Sequence, residues 1–139
     1  GRIMASRFPL IADSSSNSLK EIPAGDHVVF DAAAGNITTL TDGSAIGIDF
    51  SDGNNFKVTL AGNRTLSNPT NVVAGQSGFI AVSQDGTGGR TLAYSANYQF
   101  VGGTPPILST AASSVDILAW YAHTTTDIVI EAILDVQHA

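Results

Sequence analysis

The stretch "KVTLAGNRTLSNPTNVVAGQSGFIAVSQDGTGGRTLAY", Lys57 to Tyr94, decides the fold class. Short runs rich in Val, Ile, Phe, Leu and Thr alternate with "AGN", "SNPTN", "AGQSG" and "DGTGG". β-branched and aromatic residues suit a pleated, half-buried surface, whereas Gly, Asn, Asp and Pro supply the corners that end it. The stretch has no His, Cys or Glu, so almost nothing in it can make or break a bond.

Outward from this stretch the punctuation continues, with "TDGS" and "SDGNN" before it and "SAN", "GGTPP" and "HTTTD" after it. Turn signals recurring roughly every ten residues predict many short strands. The runs place them near 28–31, 37–40, 45–50, 56–60, 64–66, 78–84, 91–94, 98–101, 115–123 and 127–135. The fold class expected is all-β, a jelly-roll-like sandwich or barrel. "GFIAVSQDGTGGRTLAY" reads as one hairpin, its glycines offering positive φ without steric cost. "VDILAWYAHTTTDIVIEAILDV" reads as a second, apolar on both faces, which suits the centre of a sandwich or a strand sealed against another subunit. Leu108, Ala111, Ala112, Val115, Leu118 and Ala122 also fit helical spacing behind Ser109 as N-cap; a strand from Val115 is preferred, with room for a helical turn over 109–114.

The first 35 residues read differently, and the expected division is an extended arm and linker over 1–35 and a β-sandwich over 36–139. In "ASRFPLIADSSSNSLKEIPAGDHVVFD", apolar points at Phe8, Pro9, Leu10 and Ile11 and at Ile22 and Pro23 flank a polar turn. Each proline fixes φ and pushes the preceding residue to extended geometry, so this is an arm and not a helix. Its apolar residues call for burial on its own body, on another copy or on another protein. Met4 is the expected natural start, and "GRIMASRFPL" lacks the apolar core of a signal peptide.

Composition bounds the partners. A chain of 139 residues with 43% hydrophobic and 13% charged residues folds around one core behind a neutral, hydroxyl-rich surface. The net charge of −6 and the scattered bases oppose a phosphate backbone, so no nucleic-acid partner is expected. No membrane partner is expected either, because "DIVIEAILDV" is too short for a span and carries three acids. The absence of cysteine excludes disulfides and thiolate chemistry.

No catalytic, cofactor-binding or metal-binding residue emerges. His27, His123 and His138 share no motif, and Asp42, Asp52 and Asp85 each precede a glycine as turn chemistry requires. "DFSDGNN" lacks the order and the closing Glu of a calcium loop. "DGTGGR" leads into a strand instead of a helix N-terminus, which rules it out as a phosphate cradle.

Two segments resemble phage virion proteins. "ASRFPLIADSSSNSLKEIPAGDHVVF" is similar to the opening of many virion proteins of tailed bacteriophages, cyanophages especially. "KVTLAGNRTLSNPTNVVAGQSGFIAVSQDGTGGRTL", continuing through the second hairpin, resembles a β-domain shared by phage tail-fibre and head-associated proteins. The resemblance implies a homotrimer without enzymatic activity, located in the virion. Because the arm meets the domain within a few residues, at "DAAAGNI", the expected role is a capsid decoration (cement) protein bound to the major capsid protein. Phe8, Pro9, Leu10, Ile11, Ile22, Pro23, Ile117, Trp120, Ile128 and Ile130 are the expected protein-interaction residues. The alternative is a tail-fibre or head-fibre receptor-binding module, partnered by tail or fibre proteins and a host surface glycan, with Tyr94, Tyr98 or Trp120 stacking on sugars.

Overall fold

The computed structural model describes the backbone of residues 10–13 and 18–21 and the whole of residues 31–139. The chain divides into two units, Gly1–Ala34 and Gly35–Ala139. In the first, β1 (Leu10–Asp13) and β2 (Ser18–Glu21) pair antiparallel, with Leu10 opposite Glu21 and Asp13 opposite Ser18. Phe8, Pro9, Ile22, Pro23 and most of the strand expected at 28–31 lie outside the described residues.

The second unit contains β3 (Ile37–Thr39), β4 (Ala45–Ile46), β5 (Asn55–Leu60), β6 (Arg64–Leu66), β7 (Ser77–Gln84), β8 (Leu92–Tyr94), β9 (Tyr98–Phe100), β10 (Val115–Ala122) and β11 (Ile128–Ile133). Two short 3-10 turns, Phe50–Asp52 and Val101–Gly103, complete it. One sheet has six strands in the order β3-β5-β7-β10-β11-β9, and the other has three in the order β4-β6-β8. The expected all-β sandwich is therefore the fold. The path of the chain through it is a coil: β3, β5 and β7 run parallel in the large sheet and β4, β6 and β8 parallel in the small one. A jelly roll would pair its strands antiparallel in Greek keys. Here only β10, which pairs antiparallel with both β7 and β11, reverses the direction and ends the coil.

Both sheets contribute to one core. Ile46 and Leu66 of the small sheet meet Phe56, Ile80, Leu118 and Ile130 of the large one. Strand alternation produces this arrangement, because residues at i and i+2 share a face: in β5 the residues 56, 58 and 60 are buried, and in β10 the residues 116, 118, 120 and 122. At its centre the Phe50 ring stacks on Trp120 with centroids 4.0 Å apart. Phe50 sits in the first 3-10 turn, which starts from Asp49: that carboxylate accepts from the Ser51 N–H (2.8 Å) and from Asn71 Nδ2 (2.9 Å).

The segment expected to be the first hairpin is instead a corner between the sheets. β7 pairs with β5 and β10, whereas β8 pairs with β6, so "QDGTGGR" carries the chain across the sandwich. Its side chains fix the crossing. The buried Gln84 amide donates to the Arg90 carbonyl (2.9 Å) and accepts from the Arg90 N–H (2.8 Å). The Asp85 carboxylate accepts from the N–H groups of Thr87 (3.0 Å) and Gly88 (2.9 Å) and from the Arg90 guanidinium (2.8 Å). The Arg90 guanidinium first, and then these N–H groups, hold the Asp85 carboxyl down at about 2.

The helical turn allowed over 109–114 does not form. Instead the Ser109 N–H and hydroxyl donate to the buried Asp116 carboxylate (2.8 and 2.7 Å), which also accepts from the Asp135 N–H (2.8 Å). The second hairpin forms as expected, with Trp120 opposite Ile130.

Two outcomes test the corner. Gly88 has φ +73°, and a Cβ there would lie 2.5 Å from the Thr110 carbonyl oxygen. Gly88→Ala should therefore cost at least about 2 kcal/mol in urea unfolding. The Asp85 carboxyl lies at about 2 in the folded chain, against an ordinary value of 3.8. Its contribution is complete above about pH 4 and lost as the pH falls towards 2. The melting temperature of Asp85→Asn should start lower than wild type at pH 7 and converge with it through that acid window.

Candidate functional site

A groove of about 580 Å³ runs along the first coil of the β-unit. Three segments build it: β3 and the turn after it, the run from β4 to the first 3-10 turn, and the loop after β6. Parallel pairing of β4 with β6, Ala45 beside Thr65, brings the Asp42 turn next to Ser67 and Asn68 although the sequence separates them widely. The Thr70 N–H donates to the Ile48 carbonyl (3.0 Å) and closes the far wall.

Apolar surface makes up the greater part of the groove wall, polar groups are set into it, and its backbone is fixed. Arg64 clamps the Asp42 carboxylate through Nε (2.8 Å) and Nη2 (2.6 Å), and this bond holds the Asp42 carboxyl below its ordinary value. The Thr38 hydroxyl donates to the Asp52 carbonyl (3.1 Å), leaving its oxygen able to accept. Asn68, which lines the groove, accepts from the Asn97 N–H through Oδ1 (2.9 Å), and its amide N–H₂ remains a donor. Asp52 is exposed at the rim. The arrangement offers carboxylate acceptors, hydroxyls and one amide donor at fixed positions. Among the described residues no group of three or more His, Cys, Asp or Glu side chains is placed to hold a metal ion.

The residues expected to act are distributed differently. Trp120, Ile128 and Ile130 are buried in the chain's own core, while Ile117 is half-buried on the outer face of the large sheet. Leu10 and Ile11 lie in β1, in the separate first unit. The three aromatics expected to stack on sugars are committed to packing. Tyr98 is buried and its hydroxyl donates to the Ser67 carbonyl (2.8 Å); Tyr94 packs edge-on against Tyr98 and Phe100; Trp120 lies under Phe50. Burial pushes both tyrosine hydroxyls well above their ordinary value.

Residues 39–123 match the family described as "Putative phage tail fibre C-terminal domain". The chain belongs to this family. The match runs from the end of β3 through all of β10, so the tail-fibre domain contains the parallel coil and the strand that ends it. The chain is thus a phage structural protein and a component of the virion. No curated protein and no solved structure matches the chain.

Of the groove residues, Asp42 and Asp52 read in the sequence as turn formers, and Thr38, Thr39 and Ile48 as parts of strands. Asp42 and Asp52 do serve turns, but what assembles them is parallel pairing between coils, for which a single sequence carries no local signal. The groove wall depends on the Tyr98 hydroxyl bond to Ser67. Tyr98→Phe, which leaves that carbonyl unpaired, should cost about 1 kcal/mol in urea unfolding.

Proposed function

We propose that this chain is a receptor-binding module of a phage tail fibre and holds a host-surface glycan in the groove beside Thr38, Thr41, Asp52 and Asn68. The observation that carries the reading is the tail-fibre family match over residues 39–123. It favours tail or fibre proteins as neighbours over the major capsid protein, and the fibre role over capsid decoration. The groove supports the ligand class. A glycan presents hydroxyls that both donate and accept, and preset carboxylates, threonine hydroxyls and an amide meet them without reorganisation. The net charge of −6 opposes a polyanionic polysaccharide, so neutral or amino-bearing sugars fit best.

Isothermal titration against host surface polysaccharide tests the ligand, and antibody labelling of virions in the electron microscope tests the location. Asp52→Ala should weaken binding about tenfold at unchanged melting temperature, by removing one hydrogen bond to a sugar; Asn68→Ala should weaken binding about as much and also lower the melting temperature, because it takes the acceptor from the Asn97 N–H. Label on the head would overturn the fibre reading. Label on the tail with no binding to polysaccharide or to host cells would overturn the glycan alone.

A further inference from the structure

Among the described residues three that are not glycine hold a positive φ: Asn71, Ser113 and Asp135. Asn71, at φ +53°, stands directly behind the groove. It follows Thr70, which lines the groove and bridges in parallel to Asp49 of the neighbouring wall. Two bonds make this bridge, from the Thr70 N–H to the Ile48 carbonyl (3.0 Å) and from the Phe50 N–H to the Thr70 carbonyl (3.0 Å). One residue later the chain leaves Asp49 and carries Val72 against the core, and the left-handed residue makes that bend. Glycine is the usual choice for such a position; asparagine accepts it better than most others and brings an amide.

That amide reaches back to the groove. Asn71 Nδ2 lies 2.9 Å from both Oδ1 and Oδ2 of Asp49, so it donates across the whole carboxylate. Asp49 Oδ1 in turn accepts from the Ser51 N–H (2.8 Å) and hydroxyl (2.7 Å), and the Asp49 carbonyl accepts from the Asp52 N–H (3.1 Å). The Thr38 hydroxyl holds the Asp52 carbonyl from the other side. A carboxylate that caps a turn needs only one oxygen for the cap. Asn71 grips the second as well, so the carboxylate keeps one orientation in the wall that it lines.

Given that the groove holds a glycan, we infer that Asn71 is its positioning residue: through Asp49 it fixes the 3-10 turn from which Asp52 meets the sugar. A hydrogen bond weakens steeply with misalignment, and a turn already in place loses no freedom when the ligand arrives. If Asn71 served the backbone alone, glycine would serve as well, since it takes the same φ without steric cost.

Asn71→Gly separates the two roles. The variant should melt close to wild type, because glycine holds the same bend. Amide exchange at Ser51, followed by NMR, should rise about tenfold, because its acceptor is no longer held. In isothermal titration against host surface polysaccharide the affinity should fall about fivefold, with the same loss in an Asn68→Ala background and none in an Asp52→Ala background. Unchanged exchange at Ser51 overturns the inference, as does a marked fall in melting temperature, or a loss of affinity that persists when Asp52 is already alanine. Each of these results leaves glycan binding standing. Wild-type protein that binds no polysaccharide overturns the glycan reading itself, and the role of Asn71 in it.

Discussion

Two sheets can share one core only if the chain crosses the sandwich on every coil, and each crossing must turn sharply while satisfying its own backbone. In this protein the crossings are where the sequence has least freedom. Gln84 and Asp85 spend their side chains on the loop that follows them, and Gly88 occupies a position that no side chain can fill. Asp49 does the same for the turn that delivers Phe50 under Trp120. Side chains that would serve chemistry elsewhere are committed here to holding corners.

This commitment explains how a domain with few reactive groups can work by recognition. A coil with fixed corners presents its groove as a preformed surface, and a preformed surface loses little entropy on binding. The groove draws on residues from successive coils, so its shape depends on the registers of β4 with β6 and of β3 with β5.

Most strands were legible because their signal is local. Alternation and turn residues place β5, β6, β7 and β10 within a residue or so of their positions. Strand partners were not legible. The glycines of "DGTGG" report a need for positive φ, which a hairpin and a sheet-crossing corner share, so the sequence alone reads as a hairpin where the chain changes sheets. Tyr94 and Tyr98 look like surface platforms from their polar neighbours, yet strand alternation and the Ser67 bond turn Tyr98 inward. The groove was invisible for the same reason, since it exists only once separate coils are side by side.

The parallel winding also gives the domain a direction. At one end the antiparallel strand β10 closes the coil on the large sheet. At the other, β3 and β4 are the outermost strands of their sheets, and among the described residues each is paired on one side only. A further parallel rung laid on β3 and β4 would extend both sheets without altering a single existing core contact. Insertions and deletions of whole rungs there would change the length of the domain while leaving the β10–β11 end as it is, so this architecture can vary in reach by integer steps.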